Sequence, residues 1–220
     1  MQLIKMRDRM NFFTNAWDSD LAWSFRQAPL VMVAALMTTV IVLAAVLAPL
    51  IAPHDPFNPA TLNLMDGFTP PMTPNAMSGQ VYLLGTDNQG RDILSAILYG
   101  ARISLFVGFS AVLFAMVLGI FVGLVSAWRG GWIDSTLMRV ADIQLSFPSI
   151  LIALLIFGVA RSLIPVAYRE QMAIWVLIVA IGLSDWVQFA RVVRGAALVE
   201  KSKEYVQAAQ AIGVRPSRIV

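Results

Sequence analysis

The 220 residues are 58% hydrophobic and only 13% charged, with a mean hydropathy of +0.72, a balance that the surface of a water-soluble domain of this size does not tolerate. The net charge of +3 and pI near 9.6 come from dispersed arginines rather than one basic face, which argues against nucleic-acid binding. Cysteine is absent, which excludes disulfides and thiolate chemistry.

Residues 1–28 mix charge with Phe12, Phe13, Trp17, Trp23 and Phe25 and read as an N-terminal interfacial segment on the inner membrane surface. The uncharged run from Gln27 to Pro53 holds a first transmembrane helix, placed at 29–52, since a helix needs about 20 mainly apolar residues to cross the hydrocarbon. An external loop is predicted over 53–102. Pro53, Pro56, Pro59, Pro70, Pro71 and Pro74, with Gly67 and Gly79, make it extended and turn-rich. The run Leu84-Gly85-Thr86-Asp87 signals a helix start with Thr86 or Asp87 as cap, and Ile93, Leu94, Ile97 and Leu98 share one face of a short amphipathic helix.

Three further spans are predicted at about 103–128, 137–160 and 171–190. The first of these carries Ala111, Ala115, Gly119, Gly123 and Ala127 at four-residue spacing, a ridge of small side chains that another helix can approach closely. Routine bundle packing is the favoured reading of the ridge, over an interface with a partner subunit. Pro148 falls inside the next span and predicts a kink there. Asp142 and Asp185 fall near inner helix ends, where a carboxylate reaches water, and an end-of-helix role is favoured over a place on a substrate path. Ten-residue alternating patterns are missing, so backbone groups must be satisfied within helices. The expected fold is an all-α integral membrane protein, a polytopic transmembrane helix bundle.

Orientation follows from the basic residues. With the N-terminus inside, twelve of the 16 lysines and arginines are cytoplasmic, and Arg91, Arg102, Arg161 and Arg169 lie outside. The same arrangement puts Trp23, Trp128, Trp132 and Trp186 near the inner interface, with Tyr99 and Trp175 near the outer one.

Nothing in the chain reads as an enzyme. The single histidine, His54, permits neither a His-based triad nor a His-rich zinc site. Lysine occurs only at 5, 201 and 203, so a phosphate-binding G-x-x-x-x-G-K-[ST] loop is excluded and a partner must supply any energy from ATP. Asp87 and Asp92 fall short of the six to eight oxygens that calcium takes. No catalytic, cofactor-binding or metal-binding residues are expected.

The run L-G-T-D-N-Q-G-R-D-I-L-S-A-I-L-Y-G-A-R-I-S-L from Leu84 to Leu105 resembles the L-G-T-D-x-x-G-R-D-x-x-S-x-x-x-Y-G-A-R-x-S-L stretch of the peptide and nickel subfamily of ABC importer permeases. The run from Gly130 to Asp142, followed by Pro148, is similar to that subfamily's inner loop and third helix, and Arg191 to Gly195 to the close of its fourth. Glu204 to Val220 resembles the family's cytoplasmic EAA loop, with Gln207-Ala208-Ala209 and Gly213 in its first part. Gln207 stands where the family pattern has Glu, and Glu204, one turn earlier on the same face, can carry the charge instead.

The resemblance implies the permease subunit of an ATP-driven importer of peptides or similar small solutes, multi-pass in the bacterial inner membrane with its N-terminus cytoplasmic. It further implies a second permease subunit, two cytosolic ATPase subunits, a periplasmic solute-binding protein and contact with membrane lipid. Residues 103–220 become the permease domain. Glu204, Tyr205, Gln207, Ala208, Ala209 and Gly213 become the ATPase-coupling loop, and Gly85, Thr86, Asp87, Gly90, Arg91 and Asp92 a periplasmic motif. The family pattern has six spans, of which four fall within these residues, so the expectation is a truncated product unable to transport alone. The alternative is a truncated non-transporting membrane anchor or assembly relative.

Overall fold

The structure, a computed structural model, describes residues 20–58 and 62–214. Most of the expected interfacial segment 1–28, and Arg215 onward, lie outside the described residues. The chain divides into two compact units, Met1–Leu105 and Phe106–Val220. No strand occurs among the described residues, only isolated bridges pairing Pro74 with Val81 and Thr86 with Asp92.

In the first unit, helix α1 (Asp20–Gln27) leads into α2 (Pro29–Val46). Pro29 opens α2 at a position whose N–H would have no intrahelical partner, so its missing donor costs nothing there. Within this apolar helix the Thr38 and Thr39 hydroxyls donate to the carbonyls of Ala34 and Ala35 at 2.8 Å, which satisfies both inside the helix. The helix turns at Leu47 and resumes as the short α3 (Ala48–Ile51), so the expected single span at 29–52 is interrupted by one turn.

Helix α4 (Ile93–Arg129) is continuous. The short amphipathic helix and the span expected after it are therefore one element; no proline falls between Ile93 and Arg129 to separate them. Its 37 residues rise about 55 Å, well beyond the hydrocarbon thickness of about 30 Å.

The second unit holds the rest of α4 with α5 (Gly131–Leu145), α6 (Ser149–Leu163), α7 (Arg169–Lys201) and α8 (Glu204–Ala211). Helices α5 and α6 replace the kinked span expected at 137–160, and they meet at 96°. Pro148 disfavours helical backbone at Phe147 and offers no N–H, so the chain leaves the helix after Leu145 and restarts with Pro148 at the N-cap of α6. Helices α6 and α7 then pack along each other, joined by a 3-10 turn at Val166–Tyr168.

The ridge of small residues on α4 receives α7. A Cβ on Gly119 would lie 2.5 Å from the Phe189 Cβ, and one on Gly123 2.6 Å from the Ala190 carbonyl oxygen. Reciprocally, a Cβ on Gly182 would sit 2.3 Å from the Phe114 ring. A buried cluster follows from this approach: Ala141, Trp186, Val187 and Ala190, with Leu118 and Val122 against them.

Among the described residues three helices, Pro29–Val46, Ile93–Arg129 and Val166–Lys201, are long and apolar enough to cross a membrane, and the bent pair of α5 and α6 makes a fourth candidate. Their surfaces are apolar where a soluble protein would be polar: Leu30 is 82% exposed and Leu163 78%. This is an all-α polytopic membrane protein.

Candidate functional site

In the first unit, the six residues from Gly85 to Asp92 singled out in the sequence form one folded turn rather than an open loop. The Asp66 carboxylate, 2% exposed, accepts from the Tyr82 hydroxyl at 2.9 Å. Burial, reinforced by this bond to Asp66, pushes the Tyr82 hydroxyl up to about 12. The Thr86 hydroxyl donates to the Asp66 carbonyl and accepts from the Thr69 amide at 2.9 Å. Asp87 accepts from the amides of Gln89 and Arg91 at 2.8 and 2.9 Å and from Arg91 Nε at 2.7 Å. Burial alone would raise its carboxyl; the Arg91 and Gln89 amides, with the Arg91 guanidinium, outweigh that and hold it below the usual range.

Two glycines permit the turn. Gly85 has φ +77 and a Cβ there would lie 2.5 Å from the Thr69 carbonyl; Gly90 has φ +75 and its Cβ would lie 2.1 Å from the Asn63 carbonyl. The cap of the following helix is Asp92, whose Oδ2 accepts from the Ser95 amide at 3.0 Å. Thr86 and Asp87 do not cap it, because the helix starts at Ile93 and both are engaged within the turn.

In the second unit, a polar brace crosses between helices, and of its residues sequence analysis had weighed only Asp142 by itself. Arg194 on α7 donates to Asp134 on α5 from Nε at 2.5 Å and from Nη2 at 2.6 Å, and the Ser126 hydroxyl of α4 bonds the same carboxylate. Further along, Arg191 pairs with Asp142. A third tier is uncharged: Gln144 donates to the carbonyls of Leu183 and Ser184 at 2.8 and 2.9 Å and accepts from Trp186 Nε1 at 3.0 Å. Gln144 thus satisfies its own amide while fixing α7 beside the break at Ser146.

Past this brace, α7 ends and α8 begins. Glu200 accepts from Lys203 Nζ at 2.6 Å and from the Tyr205 hydroxyl at 2.7 Å, and Gln207 donates to the Ser202 carbonyl at 3.0 Å. The bond to Glu200 raises both Lys203 and Tyr205 above their ordinary values. Val206 is buried, whereas Glu204, Gln207, Ala208 and Gly213 are exposed and Ala209 half-buried. Gly213, with φ +80, closes the helix as the Val214 amide donates back to the Ala209 carbonyl at 3.0 Å. Thus one side of α8 is tied to α7 and the other is open.

Among the described residues no group of three or more His, Asp or Glu side chains is placed to hold a metal; Asp87, Asp134 and Asp142 are engaged with arginines and Glu200 with Lys203.

Residues 115–220 match the family described as the binding-protein-dependent transport system inner membrane component, and residues 16–71 match the N-terminal TM domain of oligopeptide transport permease C. The chain belongs with the inner membrane permease components of ABC importers. Within them it stands with the peptide permeases. It is 33% identical over 201 residues to the oligopeptide transport system permease protein OppC of Bacillus subtilis, covering 91% of this chain and 59% of that protein. It is 33% identical over 196 residues to the dipeptide transport system permease protein DppC of Haemophilus influenzae, covering 89% and 62%. It is 35% identical over 191 residues to the dipeptide permease DppC of Alkalihalophilus pseudofirmus, covering 87% and 56%. The chain therefore spans less than two thirds of these relatives. They are named as transport permeases, not as enzymes, and the family and the apolar helices make this a multi-pass inner membrane protein.

Proposed function

We propose that this chain is a permease subunit of an ABC importer that moves peptides or similar small solutes across the inner membrane, and that residues 200–220 couple it to cytosolic ATPases. The observation that carries the proposal is α8: a short helix held to α7 by Glu200, with Val206 buried, open on its other side, and stopped at Gly213, within the stretch that matches the transport family. Ala208 and Ala209 present little side-chain bulk, so the helix can enter a groove of another protein. Glu204 adds an exposed charge for a basic partner. ATP-driven closure of the partners would then press on a helix that cannot swing independently of α7.

The other assignments follow from this reading. The N-terminus and α8 face the cytoplasm, and the turn from Gly85 to Asp92 faces the periplasm, where a solute-binding protein docks. A second permease subunit completes the path, two ATPase subunits lie beneath it, and lipid covers the remaining apolar surface. Gly85, Thr86, Asp87, Gly90, Arg91 and Asp92 keep that outer turn rigid, and Pro148 places the bend between α5 and α6. An anchor or assembly role finds no support in the relatives, which are named as transporters of oligopeptides and dipeptides.

The test is uptake by the complete complex containing this chain, reconstituted in vesicles with the second permease, the ATPases and the binding protein. Labelled dipeptides and oligopeptides are expected to accumulate only with ATP. Accumulation driven by a proton gradient without ATP, or none for any peptide, overturns the proposal.

A further inference from the structure

The junction between α7 and α8 contains two neighbouring charges with opposite duties. Glu200 faces the turn and α8, bonding Lys203 and Tyr205. Lys201, the next residue and the last of α7, faces α4: its Nζ lies 3.2 Å from the carbonyl oxygens of both Ala127 and Trp128, and 5.4 Å from the centre of the Trp128 ring. Those carbonyls close α4 and have no amide further along the helix to accept from. An ammonium there completes them, suits the negative end of the helix dipole, and gains from the indole face. Leu124, Ala127, Trp128, Ala197, Tyr205 and Val206 surround a cavity of about 350 Å³ beside this contact. Space therefore remains between α8 and α4, and the polar tie from the end of α7 to α4 runs through Lys201.

We infer that Lys201 is a positioning residue that passes displacement of α8 to α4, so that force applied at the coupling segment reaches a spanning helix. The inference rests on the permease reading above. In this arrangement Glu200 makes α8 and the end of α7 move together, Lys201 drags the end of α4 with them, and the cavity gives α8 room to move. A point cation without Lys201's reach, or a neutral chain of the same length, breaks the tie while leaving the helices themselves intact.

The experiment compares Lys201→Met and Lys201→Arg with the unaltered protein in the complete reconstituted transporter, reading peptide uptake and ATP hydrolysis on the same vesicles. Lys201→Met is expected to lower peptide moved per ATP by roughly tenfold, the scale set by losing hydrogen bonds from a charged donor. Hydrolysis should stay within about twofold of the unaltered complex, and Lys201→Arg, which keeps charge and donors, should restore most of the ratio. An unchanged ratio in Lys201→Met overturns the inference, as does a parallel fall in uptake and hydrolysis, which marks a merely structural residue. If the unaltered complex shows no ATP-dependent uptake, the permease reading fails first and this one with it.

A second measurement starts from a complex that keeps Lys201. These 220 residues contain no cysteine, so Leu124→Cys with Val206→Cys adds a thiol pair across the cavity for a bifunctional maleimide, read as a cross-link within this subunit. Cross-linking yield is expected to differ between nucleotide-free and ATP-trapped complexes, and to lose that difference when Lys201→Met is added. Equal yields in both states of the otherwise unaltered complex overturn the inference.

Discussion

Asp134 and Arg194 lie 60 residues apart and meet through two hydrogen bonds, Nε to Oδ1 at 2.5 Å and Nη2 to Oδ2 at 2.6 Å. The Ser126 hydroxyl completes the carboxylate, so one side chain from each of α4, α5 and α7 converges on a single point. The side chains are 19% and 32% exposed, so water replaces a lost partner only in part. Arg194→Met is therefore expected to destabilise the protein by about 1–3 kcal/mol, less than a fully buried pair would give. By contrast, Arg191→Met, at the largely exposed pair with Asp142, should cost under about 1 kcal/mol. Thermal unfolding of the detergent-solubilised variants decides between these; equal losses would mean that the two pairs share one environment.

The seat of α7 on α4 makes a second prediction. Gly123→Ala would put a Cβ 2.6 Å from a backbone oxygen, which can yield only if the helices part. A loss of about 1–3 kcal/mol is expected from this overpacking. Gly108→Ala is the control, since no heavy atom lies within 4 Å of its Cβ position. There the helix should be unharmed or gain up to about 1 kcal/mol from better propensity. Thermal stability in detergent measures both, and a neutral Gly123→Ala would show that this close approach carries no stability.

Parts of this architecture could be read from residue order, and the remainder required the fold. Apolar runs located the helices because lipid-facing segments are hydrophobic all round. The spacing of Ala111, Ala115, Gly119, Gly123 and Ala127 showed a ridge without showing that α7 occupies it. Pro148 marked the position of the break, but its 96° angle depends on how α5 and α6 pack. Thr86, Asp87 and Asp92 are equally good caps by type. Only the long-range bond from Thr86 to Asp66 shows why Asp92 is the one left to cap α4. The pairing of Asp134 with Arg194 is a contact between distant residues, and no local periodicity encodes it. Gln144 carries no signal in a single sequence beyond being polar in an apolar stretch.

The turn ahead of α4 should respond to pH at both extremes. Asp87 has a folded value below its unfolded one, so its contribution is fully present above about pH 4 and is lost as pH falls through the folded value. Tyr82 is raised to about 12, so its contribution is fully present below the ordinary tyrosine value of about 10 and is lost as pH rises through the folded value. Protection of the loop from proteolysis or amide exchange is expected to fall at both ends. Asp87→Asn should remove the acid limb and Tyr82→Phe the alkaline one. Limbs that persist unchanged in these variants would assign the titrations to other groups.

Gly213 offers the sharpest test of the proposed coupling role, because its environment separates conformation from contact. Its φ of +80 suits glycine, yet a Cβ there would touch nothing within 4 Å among the described residues. Within those residues a substitution therefore acts through the backbone, and the asparagine variant controls for added bulk. Gly213→Asn, which tolerates the left-handed region, should retain most of the activity, whereas Gly213→Val should pay about 1–2 kcal/mol there and shift the helix end toward other conformations. Because Val214 donates back to Ala209 only while Gly213 holds this turn, the valine variant would also misdirect the chain beyond α8. In the complete transporter, Gly213→Val is expected to insert normally and to permit ATP hydrolysis while uptake falls several-fold, with Gly213→Asn close to unaltered. Equal transport by both variants would remove the helix end from the coupling path and leave α8 as a solvent-exposed cap on α7.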